Sequence, residues 1–193
     1  MRFFLFLIVV VAGALAGLAL TERAVRPDSL FLASRFPPWE FSPHIGAADI
    51  DPYTRGRLFA LGDLPLASGE GFSLFARQDE SGAPLERRCR YTLASPFPAA
   101  RFWTLAITDP SGKALPNLAE RHDFTSAEIL RDAEGPFVVT IAPEPASGNW
   151  LPTGGREGSF VIALRFYETP LAATATRLDR RFLPRLSKQE CLP

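Results

Sequence analysis

FVIALRFY, residues 160–167, decides the fold class. Phe160, Ile162, Leu164 and Phe166 stand at every second position, the longest and clearest such alternation in the chain. Residues two apart project from the same face of a strand, so the run predicts a strand with one face in an apolar core. Shorter runs upstream repeat the pattern. Phe72, Leu74 and Ala76 alternate with Ser73, Phe75 and Arg77. Trp103, Leu105 and Ile107 share one face of RFWTLAITD, Phe137, Val139 and Ile141 alternate, and RYTLA (90–94) reads as a short strand. Asp79-Glu80-Ser81-Gly82 and Asp109-Pro110-Ser111-Gly112 supply turns. Short strands punctuated by Gly, Pro and Asp predict a mainly β domain, an antiparallel sandwich or jelly roll rather than a parallel α/β sheet. Two short helices are expected beside it. One covers Asp49 to Gly62, with Pro52 in its first turn and Gly62 after its last. The other runs from Thr125 to about Arg131, where Thr125 and Glu128 have capping-box spacing.

A different signal occupies the N-terminus. Phe3 to Leu20 runs eighteen residues without a charge. As a helix it spans roughly 27 Å, close to the ~30 Å hydrocarbon core of a bilayer. Ala14-Leu15-Ala16 fits a signal-cleavage site, so a removed secretory signal is the alternative. The apolar stretch continues past that site to Leu20, which favours a retained transmembrane helix. The expected division is an anchor over 1–22, a connector over 23–44 and a β-sandwich domain over 45–193. Pro27, Pro37, Pro38 and Pro43 keep the connector from forming a helix. Its aromatics, Phe31, Phe36, Trp39 and Phe41, either sit at lipid head-group level or dock on the domain. Arg2 lies on one side of the span and Arg23 and Arg26 on the other, offset by Glu22 and Asp28, so the positive-inside rule decides little. Signal-like segments at a chain start usually insert with the N-terminus inside. The expected topology is therefore a membrane crossed once, with the domain on the side away from the cytoplasm, which for a bacterial chain is the periplasmic face of the inner membrane.

Composition narrows the partners. The formal net charge is zero over 193 residues and the pI is about 6.7. A nucleic-acid partner normally needs a basic surface to neutralise phosphates, so none is expected. The basic tail (Arg177, Arg180, Arg181, Arg185 and Lys188 against Asp179) is either a solvated face or a contact for anionic lipids. An exported chain meets an oxidising compartment, where Cys89 and Cys191 would bond. Closing a loop of about a hundred residues is worth up to about 4.7 kcal/mol in the chain-entropy model. Neither cysteine has a metal-spaced partner. A metal site from His44, His122, Asp49 and Asp51 would need a coincidence of folding, so no metal is expected. No Gly-rich phosphate loop follows a strand, and no cofactor is expected.

Several elements share a family resemblance. They are the aromatic strand before Asp109, Leu115-Pro116-Asn117, Arg121, Asn149-Trp150-Leu151-Pro152 and the final apolar strand ending in Tyr167. Over roughly residues 45–193 the chain resembles the family called domain of unknown function 1214. DPYTRGRLFALGDLPL (51–66) and RCRY (88–91) are similar to the short, membrane-anchored bacterial members. Larger members carry a second domain of unknown function, numbered 1254, where this chain has its apolar helix. The resemblance implies a β-sandwich of jelly-roll type and no established activity.

Two readings of a site follow. A hydrolase acting on an envelope carbohydrate or ester would use His122 as general base with Asp109 and Arg121 beside it. No GxSxG motif stands in the chain, and Ser111 and Ser126 sit in ordinary turn and cap contexts. The second reading is binding without catalysis. Trp103, Asn117, Arg121, Asn149 and Trp150 would offer an aromatic face with polar donors to a small polar ligand or an envelope protein. Asn149-Trp150-Leu151-Pro152 also has a structural reading, in which Asn149 and Pro152 shape a turn and Trp150 plugs one end of the sandwich.

Overall fold

The alternating run at 160–167 lies at the centre of the larger of two sheets in a computed structural model that describes residues 2–25, 34–42, 45–61, 64–133, 135–171 and 178–193. Ten strands are described: β1 (Ser34–Phe36), β2 (Trp39–Phe41), β3 (Gly71–Ala76), β4 (Cys89–Ala94), β5 (Phe102–Thr108), β6 (Asp123–Thr125), β7 (Val138–Ala142), β8 (Asn149–Pro152), β9 (Val161–Tyr167) and β10 (Arg185–Cys191). The six-stranded sheet has the order β1-β2-β3-β9-β5-β6 and every neighbouring pair is antiparallel. The four-stranded sheet has the order β10-β4-β7-β8, and there β7 and β8 run parallel. The wholly antiparallel sandwich expected from sequence is thus corrected to one antiparallel and one mixed sheet. The parallel pair arises because the chain between Ala142 and Asn149 crosses back to the start of β7 instead of making a hairpin.

Register explains why β9 holds the centre. Leu164 stands opposite Leu74 on one side and Leu105 on the other. Phe166 is flanked by Phe72 and Trp103, and Ile162 by Ala76 and Ile107. Three apolar rows therefore cross the strands on one face, and all nine side chains are buried. Cross-strand pairs of this kind are the unit of sheet stability. The smaller sheet covers that face with Tyr91, Leu93, Val139, Ile141 and Leu151, which belong to the same core. Rings join the layers: Tyr91 meets Phe160 edge-on at 5.6 Å, and Trp103 stacks on Phe137 at 5.4 Å.

Two α-helices are described, α1 (Arg2–Val25) and α2 (Pro52–Leu61). None of α1 is buried, and it is long and apolar enough to cross a membrane. Helix α2 forms within the expected span, with its first residue at Pro52 and not at Asp49. The Asp51 carboxylate accepts from the backbone N–H groups of Tyr53 and Thr54, each at 3.0 Å. Those bonds, that of the Thr54 hydroxyl first, hold Asp51 below its ordinary pKa. Gly62, expected to end the helix, lies outside the described residues.

The helix expected over 125–131 does not form. Its capping contact does: Glu128 Oε2 accepts from the Thr125 backbone and hydroxyl, both at 3.1 Å. That contact closes a single turn. Both backbone groups of Leu130 are then taken by the Asn149 amide, so no helical ladder continues. The connector is also revised. Its prolines bar helix but not strand, and residues 34–41 form a hairpin added to the β3 edge. Trp39 is 1 % exposed and donates from Nε1 to Pro184 O at 2.7 Å. Phe41 is buried as well and Phe36 packs on the core, so these aromatics dock on the domain. Phe31 lies outside the described residues.

Of the basic tail, Arg185 and Lys188 lie in edge strand β10, paired antiparallel to β4, Arg180 and Arg181 lie in a single 3-10 turn before it, and Arg177 lies outside the described residues. Arg180 meets Glu80 at 3.5 Å, Arg181 meets Asp179 at 2.6 Å and Lys188 meets Asp79 at 3.8 Å. The strand is stapled by a disulfide between Cys89 and Cys191, which stand opposite each other across the ladder. A Cys89→Ser, Cys191→Ser protein should lose up to about 4.7 kcal/mol of stability, and amides of β10 should exchange faster than those of β7. Denaturant unfolding with hydrogen exchange checks this, and an unchanged midpoint contradicts it.

Candidate functional site

One side-chain amide folds the loop between β5 and β6. Asn117 Oδ1 accepts from Arg121 N at 3.1 Å, and Nδ2 donates to Arg121 O at 2.9 Å and Leu115 O at 3.1 Å. The same Nδ2 lies 3.2 Å from His122 Nδ1. The two hydrogens of that nitrogen already face Leu115 O and Arg121 O, so the imidazole is a third, weaker neighbour of the amide. Glu120 takes the left-handed turn, with φ 51°, and His122 O then accepts from Ile107 N at 3.2 Å, returning the chain to the sheet.

A second amide works from β8. Asn149 is 6 % exposed. It accepts from Leu130 N at 2.7 Å and donates to Leu130 O at 2.8 Å and Val138 O at 3.0 Å. Its next neighbour, Trp150, is half-buried and donates from Nε1 to Ala142 O at 3.1 Å. Trp150 O accepts from the exposed Arg121 at 3.3 Å, and that guanidinium lies over the Phe124 ring at 5.2 Å. Beyond β8, buried Thr153 and half-buried Arg87 exchange bonds. Arg87 Nε donates to Thr153 O at 2.9 Å, and the Thr153 hydroxyl donates to Arg87 O at 2.8 Å. Gly154 has φ +72°, and a β-carbon there would overlap Pro116 O, so only glycine lets the two loops touch. The loop at 115–122 comes from the larger sheet, and β8 with Gly154 comes from the smaller. Along this seam between the sheets Arg121, with Asn117 and His122 beside it, meets β8 at Trp150, and Arg87 meets the chain just beyond it at Thr153. The seam offers two guanidinium groups, one imidazole and the edge of an indole. That chemistry suits holding a polar or anionic group.

Other candidate residues lie elsewhere or are already engaged. Trp103 is core, stacked on Phe137 and 5.2 Å from Phe97, so it lends no face to a ligand. Asn149 is turned inward, with its amide bonded to backbone. Trp150 sits in a strand and does not plug an end of the sandwich. The five-residue aromatic platform is therefore not assembled, while its members Asn117, Arg121 and Trp150 do come together. Asp109 organises its own turn, accepting from Ser111 N at 2.8 Å, Ser111 Oγ at 2.7 Å and Lys113 N at 2.9 Å. The Ser111 hydroxyl, with these backbone donors, holds its carboxyl below the ordinary range. Asp79 repeats the arrangement with Ser81 and Ala83. Burial pushes the Asp79 carboxyl up, and the Ser81 and Ala83 bonds together with Lys188 outweigh it. Among the described residues only Asn117 is hydrogen-bonded to the His122 ring. His44 lies outside them, and among them no group of three His, Cys, Asp or Glu side chains could hold a metal ion. Sequence reasoning missed Arg87 and Gly154. Thr153-Gly154-Gly155 reads as an ordinary turn, and nothing in the chain ties it to an arginine 66 residues upstream.

Comparison with known proteins adds a family and a fold. The sequence model of a family described as protein of unknown function (DUF1214) matches residues 70–171. The VPA0106 protein from Vibrio parahaemolyticus is similar in structure, with a TM-score of 0.57 at 18 % identity over 74 % of this chain and 36 % of that one. The chain thus spans about a third of that protein's length. An uncharacterized protein from Burkholderia cenocepacia aligns with a TM-score of 0.46 at 16 % identity, over 62 % of this chain and 30 % of that one. No curated protein is significantly similar to the chain. Asn149→Ala should strand the Leu130 and Val138 backbone groups and cost roughly 3 kcal/mol. Exposed Leu118→Ala should be nearly neutral, within ~0.5 kcal/mol. Denaturant unfolding of both variants checks the contrast.

Proposed function

The chain belongs to the DUF1214 family of proteins of unknown function, and from that premise we propose a membrane-anchored protein of the bacterial envelope that acts by binding rather than by catalysis. An anchor at 1–22 would hold the domain on the periplasmic face of the inner membrane. The single observation that carries this reading is the pairing, in one chain, of an apolar helix of membrane-spanning length with the Cys89–Cys191 disulfide. Disulfides persist in oxidising compartments and are rare in the cytosol. The chain's repeated crossing between sheets, β3 to β4 to β5 and β8 to β9 to β10, supports a sandwich of jelly-roll type.

The binding face would be the seam. Arg121 and Arg87 carry charge there, and the Trp150 indole gives a flat apolar edge. A small polar ligand or an acidic loop of an envelope protein would meet these groups. The hydrolase alternative finds less support. Among the described residues no carboxylate is hydrogen-bonded to the His122 ring, whose Nδ1 faces the Asn117 amide. Asp109 is committed to its turn.

The test uses the full-length protein. A periplasm-active reporter enzyme fused after Pro193 should be active in intact cells, and a cytosol-active reporter inactive. From detergent extracts, the parent should retain a specific ligand or partner that Arg121→Ala with Trp150→Ala loses. Activity of the cytosolic reporter, or identical retention by parent and variant, contradicts the reading.

A further inference from the structure

Helix α2 has two faces with different fates. Thr54 and Leu58, one turn apart, are buried and fix the helix on the domain. Pro52, Gly56 and Phe59 lie about half a turn away around the helix and face outward. Phe59 is 90 % exposed, and nearby Tyr53 and Leu64 are 49 % and 88 % exposed. A soluble surface rarely gathers large apolar side chains in one patch without a use for them. The outward face is also where α1 arrives. Val25 Cγ2 lies 3.9 Å from where a β-carbon on Gly56 would stand. Beside this contact runs an open groove of about 440 Å³ lined by Ile50, Pro52, Arg55, Gly56 and Phe59. A second groove of about 410 Å³ shares Ile50, Arg55 and Phe59.

The position of that contact along α1 decides what covers the patch. If Phe3 to Leu20 fills the hydrocarbon core, the helix from Thr21 to Val25 extends roughly 7 Å beyond it. The head-group layer on each side is roughly 5–8 Å thick. Val25, and with it Gly56, then stands within the head-group layer, and side chains on that face of α2 are within reach of the acyl boundary. Arg55 is exposed and lines both grooves, placed to meet lipid phosphates.

We propose that the notch between α1 and α2 is a lipid-contacting surface. Phe59, Tyr53 and Leu64 enter the head-group boundary of the bilayer that α1 crosses, and Arg55 engages phospholipid phosphates. The domain is then seated against the membrane instead of swinging on its tether. This inference rests on the anchor reading, so the experiment separates the two. Full-length protein is reconstituted in vesicles of phosphatidylcholine and phosphatidylglycerol with acyl chains brominated either near the head group or near the chain end. Val11→Trp reports the middle of α1, and Phe59→Trp reports the notch, each read as the difference from the parent emission. Emission from position 11 should be quenched more by the deep bromines. Emission from position 59 should be blue-shifted and quenched roughly twofold more by the shallow bromines than by the deep ones. Quenching at 11 with none at 59 overturns the lipid-contacting notch and leaves the anchor standing. No quenching at either position overturns the anchor and the notch with it. A photoreactive residue at 59 that crosslinks in cells to a protein, and not to lipid, assigns the notch to a protein partner and also overturns the proposal.

Discussion

The structure depends on the inward face of β9. Ile162, Leu164 and Phe166 each sit between an apolar residue of β3 and one of β5, and the rows they make are the floor of the core. A one-residue slip of β9 would turn Ala163, Arg165 and Tyr167 inward and every row outward. The alternation therefore sets register as well as burial. The rest of the domain is arranged around that floor. The smaller sheet covers it, the β1–β2 hairpin lengthens it, and the disulfide pins β10 beside β4.

Loops over this core are held by side-chain amides. Asn117 and Asn149 each bond to backbone groups of a loop that has no ladder of its own. Leaving such groups unpaired would cost ~1–3 kcal/mol apiece. The loops at the seam between the sheets are consequently fixed by side-chain bonds to backbone. The seam's histidine faces an amide, and the nearest candidate carboxylate builds a turn. The two arginines there each spend one donor on a backbone carbonyl and keep others.

The strands were legible in sequence because their large apolar side chains stand on one face. β3, β5, β7 and β9 all show period two, and the Asp-x-Ser-Gly turns mark where two of them end. The existence of α2 was legible for an equally local reason, since Pro52 suits a first turn, while the Asp51 cap that sets its start was not read. What sequence left out is relational. Nothing local shows that β8 runs parallel to β7, because that depends on a crossing loop. Thr125 and Glu128 make their capping contact without a helix, because Asn149, distant in sequence, takes the Leu130 backbone groups. Prolines in the connector concealed a hairpin that tertiary contacts with Pro184 and the core stabilise. At the site, Asn117 and Arg121 were legible as polar residues in a loop. Arg87 was not, because its partner Thr153 is reached only through the fold. Trp103 was misjudged because a large indole with its N–H serves a core and a ligand platform equally well.

Hydrogen exchange under native conditions, followed residue by residue on the full-length protein, tests the central role of β9 most directly. The account predicts that amides of β9, with those of β3 and β5 paired to it, exchange most slowly and open only when the whole domain unfolds. Amides of the β1–β2 hairpin and of β8 should open earlier. If β9 exchanged as readily as those edges, while the smaller sheet stayed protected, the core would not be founded on its three apolar rows.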